Sequence, residues 1–273
     1  MGYPNVIYGV YGDEKNAQST KIGGLPLGQS MILPDGRKFR HAHASSAASL
    51  LAGVVVQGAA PVTGHGQISG SGLLASATTT ENKIGDTAVY LTNKSVAITK
   101  NQYADGVLTV IGPAGSTAYI GRTYRIKEND SCAVSTKVKF TLYPEDPLVA
   151  DMAPGSTLCA PRHNNFEGCI VFADTSPPAG VVPTAVSAGF YFWAQRSGDA
   201  ACIQSATVCV DGDPVMCDTA LAGSVTLTPT VAATADTAVI STAYNLSIRT
   251  FPIGIARGAG GASQAVIVDL RLE

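Results

Sequence analysis

Short runs of β-branched and aromatic residues, separated by glycine- or proline-centred turn signals, recur over most of this chain and argue against long helices. AVYLT (88–92), SVAIT (95–99), GVLTVIG (106–112), TYRIKE (123–128) and AVSTKVKFTLY (133–143) follow one another, with reversals at ADG (104–106) and GPAGS (112–116). Strand, turn, strand in that order implies antiparallel pairing. In the last of these runs Val134, Thr136, Val138, Phe140 and Leu142 share one parity, so that face should be buried and Lys137 and Lys139 should lie on the other. The same grammar returns after residue 153 in AGFYFWAQ, CIQSATVCV, SVTLTPTV, YNLSIRTF, PIGIAR and QAVIVDLRL, with SGD, DGDP and GAGG between them. In the final strand Val266, Val268, Leu270 and Leu272 should face a core, while Ile267, Asp269 and Arg271 face largely outward.

The first 60 residues read differently. Gly-Gly, Leu-Pro and Pro-Asp-Gly punctuate them too densely for a long helix before residue 37, and only ASSAASLLAG has room for a short one, stopped at Gly53. The expectation is an all-β protein: an extended N-terminal arm (1–60), a first small antiparallel β-barrel or sandwich domain (61–152) and a second (153–273).

Composition narrows the function. Charged residues are 14% of the chain and the formal net charge is −2, which gives no clustered cationic footprint for nucleic acid. So sparse a charge also suggests that neighbouring subunits cover some apolar surface. The start, MGYPNVIYGVYGDEK, lacks the basic and continuous apolar regions of a signal peptide, and LLAGVVVQGAAPV is too short and too broken for a membrane span. A soluble chain made in the cytoplasm is expected, with no membrane partner.

Recognisable catalytic and metal motifs are scarce. The six cysteines, Cys132, Cys159, Cys169, Cys202, Cys209 and Cys217, have no pair at the spacing of a zinc knuckle. They should be reduced and mostly buried, although one or two bridges in the C-terminal half stay open. His41 and His43 would share a face of an extended segment, but HAH alone does not fill a coordination sphere, and His65 and His163 are distant in sequence. GHGQISGSG (64–72) has neither the Lys of a phosphate loop nor a dinucleotide-binding frame, and no G-x-S-x-G stands in a nucleophile-elbow context. Asp211 with Asp213, and Glu145 with Asp146, sit beside Gly or Pro as turn residues. The chain is expected to be no enzyme and to hold no cofactor or metal.

Whole phrases carry more than any motif. LPDGRKFRHAHASSAASLLAGVVVQ, YADGVLTV with YRIKEN, and AGFYFWAQRSGDAACI with VDGDPV, TALAGSV, IGIAR and VIVDLRL resemble structural proteins of tailed bacteriophages of aquatic and metagenomic origin. The C-terminal third also resembles phage head decoration (cement) proteins, in which a glycine- and aromatic-rich strand with one Trp is followed by a GDPV turn and a closing strand. The chain departs from that pattern at Phe192, where glycine is usual, and in its cysteine content. The resemblance implies a protein without catalysis, bound to the outside of the virion's capsid as an oligomer, commonly a homotrimer, and clamping neighbouring copies of the major capsid protein.

Two sets of residues follow as candidate contacts. In MILPDGRKFR the arm would dock on the coat lattice through Met31, Ile32, Leu33 and Phe39, with Arg37, Lys38 and Arg40 meeting coat carboxylates. In AGFYFWAQ, parity puts Phe190 and Phe192 on one face and Tyr191 and Trp193 on the other; one pair should pack in a core and the other meet a loop or a sister subunit. Tyr191, Trp193 and a rim residue, Arg196, are therefore expected at a subunit interface. A tail- or fibre-associated module binding host-surface glycan is the alternative, and an enzyme whose residues converge only in the fold stays open.

Overall fold

The computed structural model describes residues 6–66, 72–93, 96–113, 120–218, 220–228, 252–258, 261 and 264–273. The chain is all-β, as its patterning predicts. It divides into two compact units: Met1–Ala59 together with Asn165–Glu273, and Ala60–Asn164.

The larger unit holds β1 (Val6–Tyr8), β2 (Ser30–Ile32), β3 (Lys38–His43) and β4 (Val55–Gln57) from the N-terminal stretch. The smaller unit contributes β5 (Leu73–Ala75), β6 (Ala88–Thr92), β7 (Val107–Pro113), β8 (Thr123–Asn129), β9 (Lys137–Leu142) and β10 (Thr157–Arg162). The chain then returns to the larger unit as β11 (Ile170–Val171), β12 (Pro178–Val181), β13 (Tyr191–Ile203), β14 (Pro214–Cys217), β15 (Val225–Leu227), β16 (Gly254–Ala256) and β17 (Ala265–Arg271).

The smaller unit is a closed antiparallel barrel in the order β10-β5-β6-β9-β8-β7. Strict alternation builds its interior: Val138, Phe140 and Leu142 point inward with Val89, Leu91, Leu108, Tyr124 and Ile126, whereas Lys137 is exposed. The expected parity is correct from residue 137 onward. Val134 is exposed and Thr136 lies in a turn, because Ser135 takes a positive φ of 61° and the strand starts only at Lys137. The boundary expected at 152 falls inside this unit, because β10 is the strand that closes the barrel against β7 and β5. Of the expected SVAIT strand, Ile98 forms only a single bridge, to Cys132.

Among the described residues of the larger unit eleven strands form one sheet, whose main path is β1-β2-β3-β13-β17-β16-β14-β15, with β4, β11 and β12 attached through β13. The first 60 residues are therefore not an arm. Contrary to the expectation that they have few residues able to build a core, Leu25, Met31, Leu33 and Phe39 form a small cluster with Ile7 and Ile22, which Trp193 completes, and β3 pairs antiparallel with β13 and β2 with β3. ASSAASLLAG forms turns and a bridge at Leu50 instead of a helix. The closing strand follows its expected pattern, with Val266, Val268 and Leu270 buried and Ile267 exposed. CIQSATVCV leaves the strand after Ile203, while YNLSIRTF and residues 67–71 of the glycine-rich stretch lie outside the described residues.

No helix among the described residues is long and apolar enough to cross a membrane.

Candidate functional site

β13 is the longest of the described strands and the spine of the larger unit. Its first half faces β3 in the register Tyr191↔His43, Trp193↔His41, Ala194↔Arg40 and Gln195↔Phe39. The strands that carry the two residue sets expected to contact coat and sister subunits thus pair with each other.

The two faces of this pairing are both covered from within the chain. Phe192, Ala194 and Ala42 pack with Leu50, Val56 and Val182, and Phe190 packs against the same cluster. Trp193, on the opposite parity, packs with Phe39, Met31, Leu33 and Leu25. The expected separation of the aromatic pairs is present, and the face of Trp193 is covered by the loop around Ile22 and Leu25.

Burial corrects the proposed anchors. Met31, Leu33 and Phe39 are 1%, 2% and 0% exposed, and Trp193 is 3% exposed; apolar side chains so deep in one unit's core have no surface left for a partner. Ile32 is half-buried. Of the cations, Arg37 bonds Asp35 at 2.6 Å, Arg40 bonds Glu273 at 2.5 Å and the Gly28 carbonyl at 3.0 Å, and Lys38 is half-buried on β3. Tyr191 is half-buried, its ring stacked 4.3 Å from that of His43.

Arg196, expected at an interface rim, is half-buried and uses its guanidinium within its own unit. The register of β13 against β3 shifts between Gln195 and Ser197, and such a bulge turns the extra side chain out of the strand's alternation. Its guanidinium donates to the carbonyls of Pro178 (3.0 Å), Ala179 (3.1 Å) and Leu272 (2.6 Å). Glu273 lies 3.7 Å from its Nε. Burial lowers the Arg196 pKa, with Arg40 adding to the effect and Glu273 opposing it. The neighbouring amide of Gln195 donates to Asp199 O at 2.9 Å and to Ser197 O and Gly198 O at 3.3 Å. Arg196 thus ties β13 to β12 and to the end of the chain after β17, while Gln195 braces the strand's own backbone beyond the bulge.

At the opposite end of β3, His43 holds two loops. Its Nδ1 lies 2.8 Å from Glu167 Oε1 and its Nε2 3.2 Å from the Gly189 carbonyl. Both neighbours are acceptors, so only the doubly protonated ring donates to both. Burial works against that charge, but the Glu167 hydrogen bond and charge, with the Gly189 carbonyl, outweigh it and raise the pKa despite Lys21.

The barrel has a polar cluster that sequence spacing concealed. His65 Nδ1 accepts from the Tyr103 hydroxyl while its Nε2 donates to Val96 O at 2.8 Å. The His163 ring lies 4.6 Å from the same tyrosine and bonds the Gln102 carbonyl at 2.9 Å. Tyr143 donates to the buried Asp105 at 2.8 Å, and burial, with Asp105, pushes its phenol up to about 12. Asn101 and Asp105 both have positive φ, a conformation that Asn and Asp tolerate best among residues with a Cβ. NQYADG therefore signals a tight loop, but not which histidines meet it.

All six cysteines are free thiols, and only Cys132 is not buried. Burial raises the thiols of Cys159 and Cys217 to about 12, which withholds the nucleophilic thiolate. Among the described residues no three His, Cys, Asp or Glu side chains converge as a metal site.

No known protein family, curated protein or solved structure matches this chain.

Proposed function

We propose that this chain is a capsid decoration protein of a tailed bacteriophage: made in the host cytoplasm, bound as a homotrimer to the outside of the head shell, and stabilising it by bridging copies of the major capsid protein. The observation that carries this reading beyond the phrase resemblance is how the buried and half-buried polar side chains are used. Arg196 and Gln195 hold three carbonyls each. Asn129 holds Thr99 O and Asp130 O, Asn82 bonds both backbone groups of Tyr90, and Gln57 accepts from Ala173 N–H and Thr175 N–H. Polar groups so placed brace loops against the strands and keep one arrangement. That bracing suits a protein whose work is mechanical and whose contact surfaces must not yield.

A second reading rests on Tyr8 and Tyr11, 83% and 62% exposed. Exposed tyrosines with an apolar ring and a polar tip also suit glycan recognition by a tail or fibre module.

The test is to mix the purified protein with undecorated heads, locate it by electron microscopy, and measure the temperature at which the shells open. Density on the outer surface and a raised opening temperature support the decoration reading. Binding to host polysaccharide with none to heads favours the second reading. Light scattering should give a mass near three times 27.9 kDa; a monomer both free and on heads refutes the trimer.

A further inference from the structure

We propose that an open half of β13 is a docking groove for one extended peptide segment, which adds to the sheet there as a short strand. The groove lies wholly in the larger unit, with a volume of about 340 Å³.

Its origin is the departure of β3. That strand pairs with β13 only as far as Lys38↔Ser197, and from Gly198 to Ile203 the one strand beside β13 among the described residues is β17. Which backbone groups this leaves open follows from alternation. On β17, Ile267 O accepts from Arg257 N and Arg271 N donates to Ile253 O, so its odd-numbered residues face β16. The even-numbered Val266, Val268 and Leu270 then face β13, opposite Cys202, Ala200 and Gly198. Asp199, Ala201 and Ile203 consequently turn their N–H and C=O groups to the other edge, into the groove.

Two of those groups are capped: Asp199 O by the Gln195 amide at 2.9 Å and Ile203 N by Gly53 O at 2.9 Å. Between the caps, the N–H and C=O of Ala201 have no partner among the described residues. An open strand edge recruits another strand unless it is guarded. Here the guards stand at its two ends and leave a gap the length of a short segment.

The walls indicate the occupant. Ala52, Gly53 and Ala265 line the groove with Ala201 itself, leaving room for small or β-branched side chains. At one end Glu14 is buried, its Oε2 accepting from Gly12 N at 2.7 Å and its Oε1 3.7 Å from Arg37. Beside it the exposed Lys15 has no ion-pair partner among the described residues. The cation without a counter-charge selects a segment with a carboxylate at that end. Resting on the decoration reading, we assign the occupant as an extended, acidic segment of the major capsid protein; backbone bonds at Ala201 hold it and Lys15 sets its direction.

The experiment has two arms. In the first, an acetylated Thr-Val-Asp-Val amide at millimolar concentration is titrated into the full-length protein while the backbone amides of Asp199 and Ala201 are followed by NMR. Shifts at both amides are expected, with about threefold weaker binding when Lys replaces the peptide's Asp, in keeping with one exposed ion pair. In the second, binding to undecorated heads is compared for the wild type, Ala201→Pro and Ala52→Trp, after each has been shown to melt as the wild type does. Ala201→Pro removes a donor the fold does not use, at an edge position where proline is tolerated, and Ala52→Trp fills the groove from the facing loop while leaving every residue of β13 unchanged. At least tenfold weaker head binding is expected of both. If the peptide leaves the Ala201 amide unmoved, or the two folded variants bind heads as tightly as the wild type, the docking groove is refuted. If the peptide moves Ala201 but the wild type ignores heads, the groove stands and the decoration reading fails.

Discussion

Replacing Arg196 by Met should cost the larger unit much of its stability, because the side chain is a three-way brace. The substitution keeps the aliphatic stem and removes three charge-assisted hydrogen bonds, to Pro178 O, Ala179 O and Leu272 O. A bond from a charged donor contributes about 1.5–3 kcal/mol, but three bonds from one group do not add fully, and carbonyls left near the surface recover some hydration. A net loss of about 3–5 kcal/mol is expected for three carbonyls that lose a charged donor. For a unit of this size that lowers the melting temperature by roughly 6–20 °C. The assay is unusually direct, since the chain's one tryptophan, Trp193, is buried in this unit. Its fluorescence in a urea titration reports the larger unit, and hydrogen exchange should quicken at β12 and at Leu272. Arg196→Lys, able to reach one or two of the carbonyls, should recover part of the loss. A tryptophan-monitored destabilisation below about 1 kcal/mol for Arg196→Met would show that the bulge, and not its side chain, holds β12 and the chain end in place.

Other outcomes follow from single features. Because the folded His43 pKa is raised above its ordinary 6.5, its contribution is complete below that value and is lost as pH rises through the folded pKa; the urea midpoint should fall over that rise, and Glu167→Gln should flatten the dependence. Tyr143, raised to about 12, should ionise late in an alkaline absorbance titration, with its stabilisation present below pH 10 and declining above it; Tyr143→Phe should remove this late component. A thiol reagent should label Cys132 alone in the native protein and all six cysteines in denaturant, since the other five are buried. Gly106→Ala would bring a Cβ to 2.2 Å from Arg162 O, an overpacking against backbone that should cost about 2–3 kcal/mol by circular dichroism.

What the sequence disclosed and what it concealed separate by distance along the chain. Strands whose evidence is local were legible: KVKFTL and AVIVDLR alternate, and both bury the predicted face. The parity of the aromatic run was legible for the same reason. The covering of both its faces was not, because Phe39 and Met31 reach Trp193 only through a pairing between β3 and β13 that skips the whole barrel unit. The apolar residues of MILPDGRKFR look like surface anchors only while that partner is unknown, since a short apolar stretch without a visible core must be assigned one outside the chain. The same ambiguity governs Arg196. Its position after an aromatic strand suggests a rim, and nothing nearby in sequence announces that Leu272 and Pro178 supply the carbonyls it binds. The docking groove has its cause at the same join. β3 starts at Lys38, after the Pro34–Asp35–Gly36 turn, and is too short to follow β13 past the bulge, so the arrangement that buries the supposed anchors is also what leaves Ala201 open.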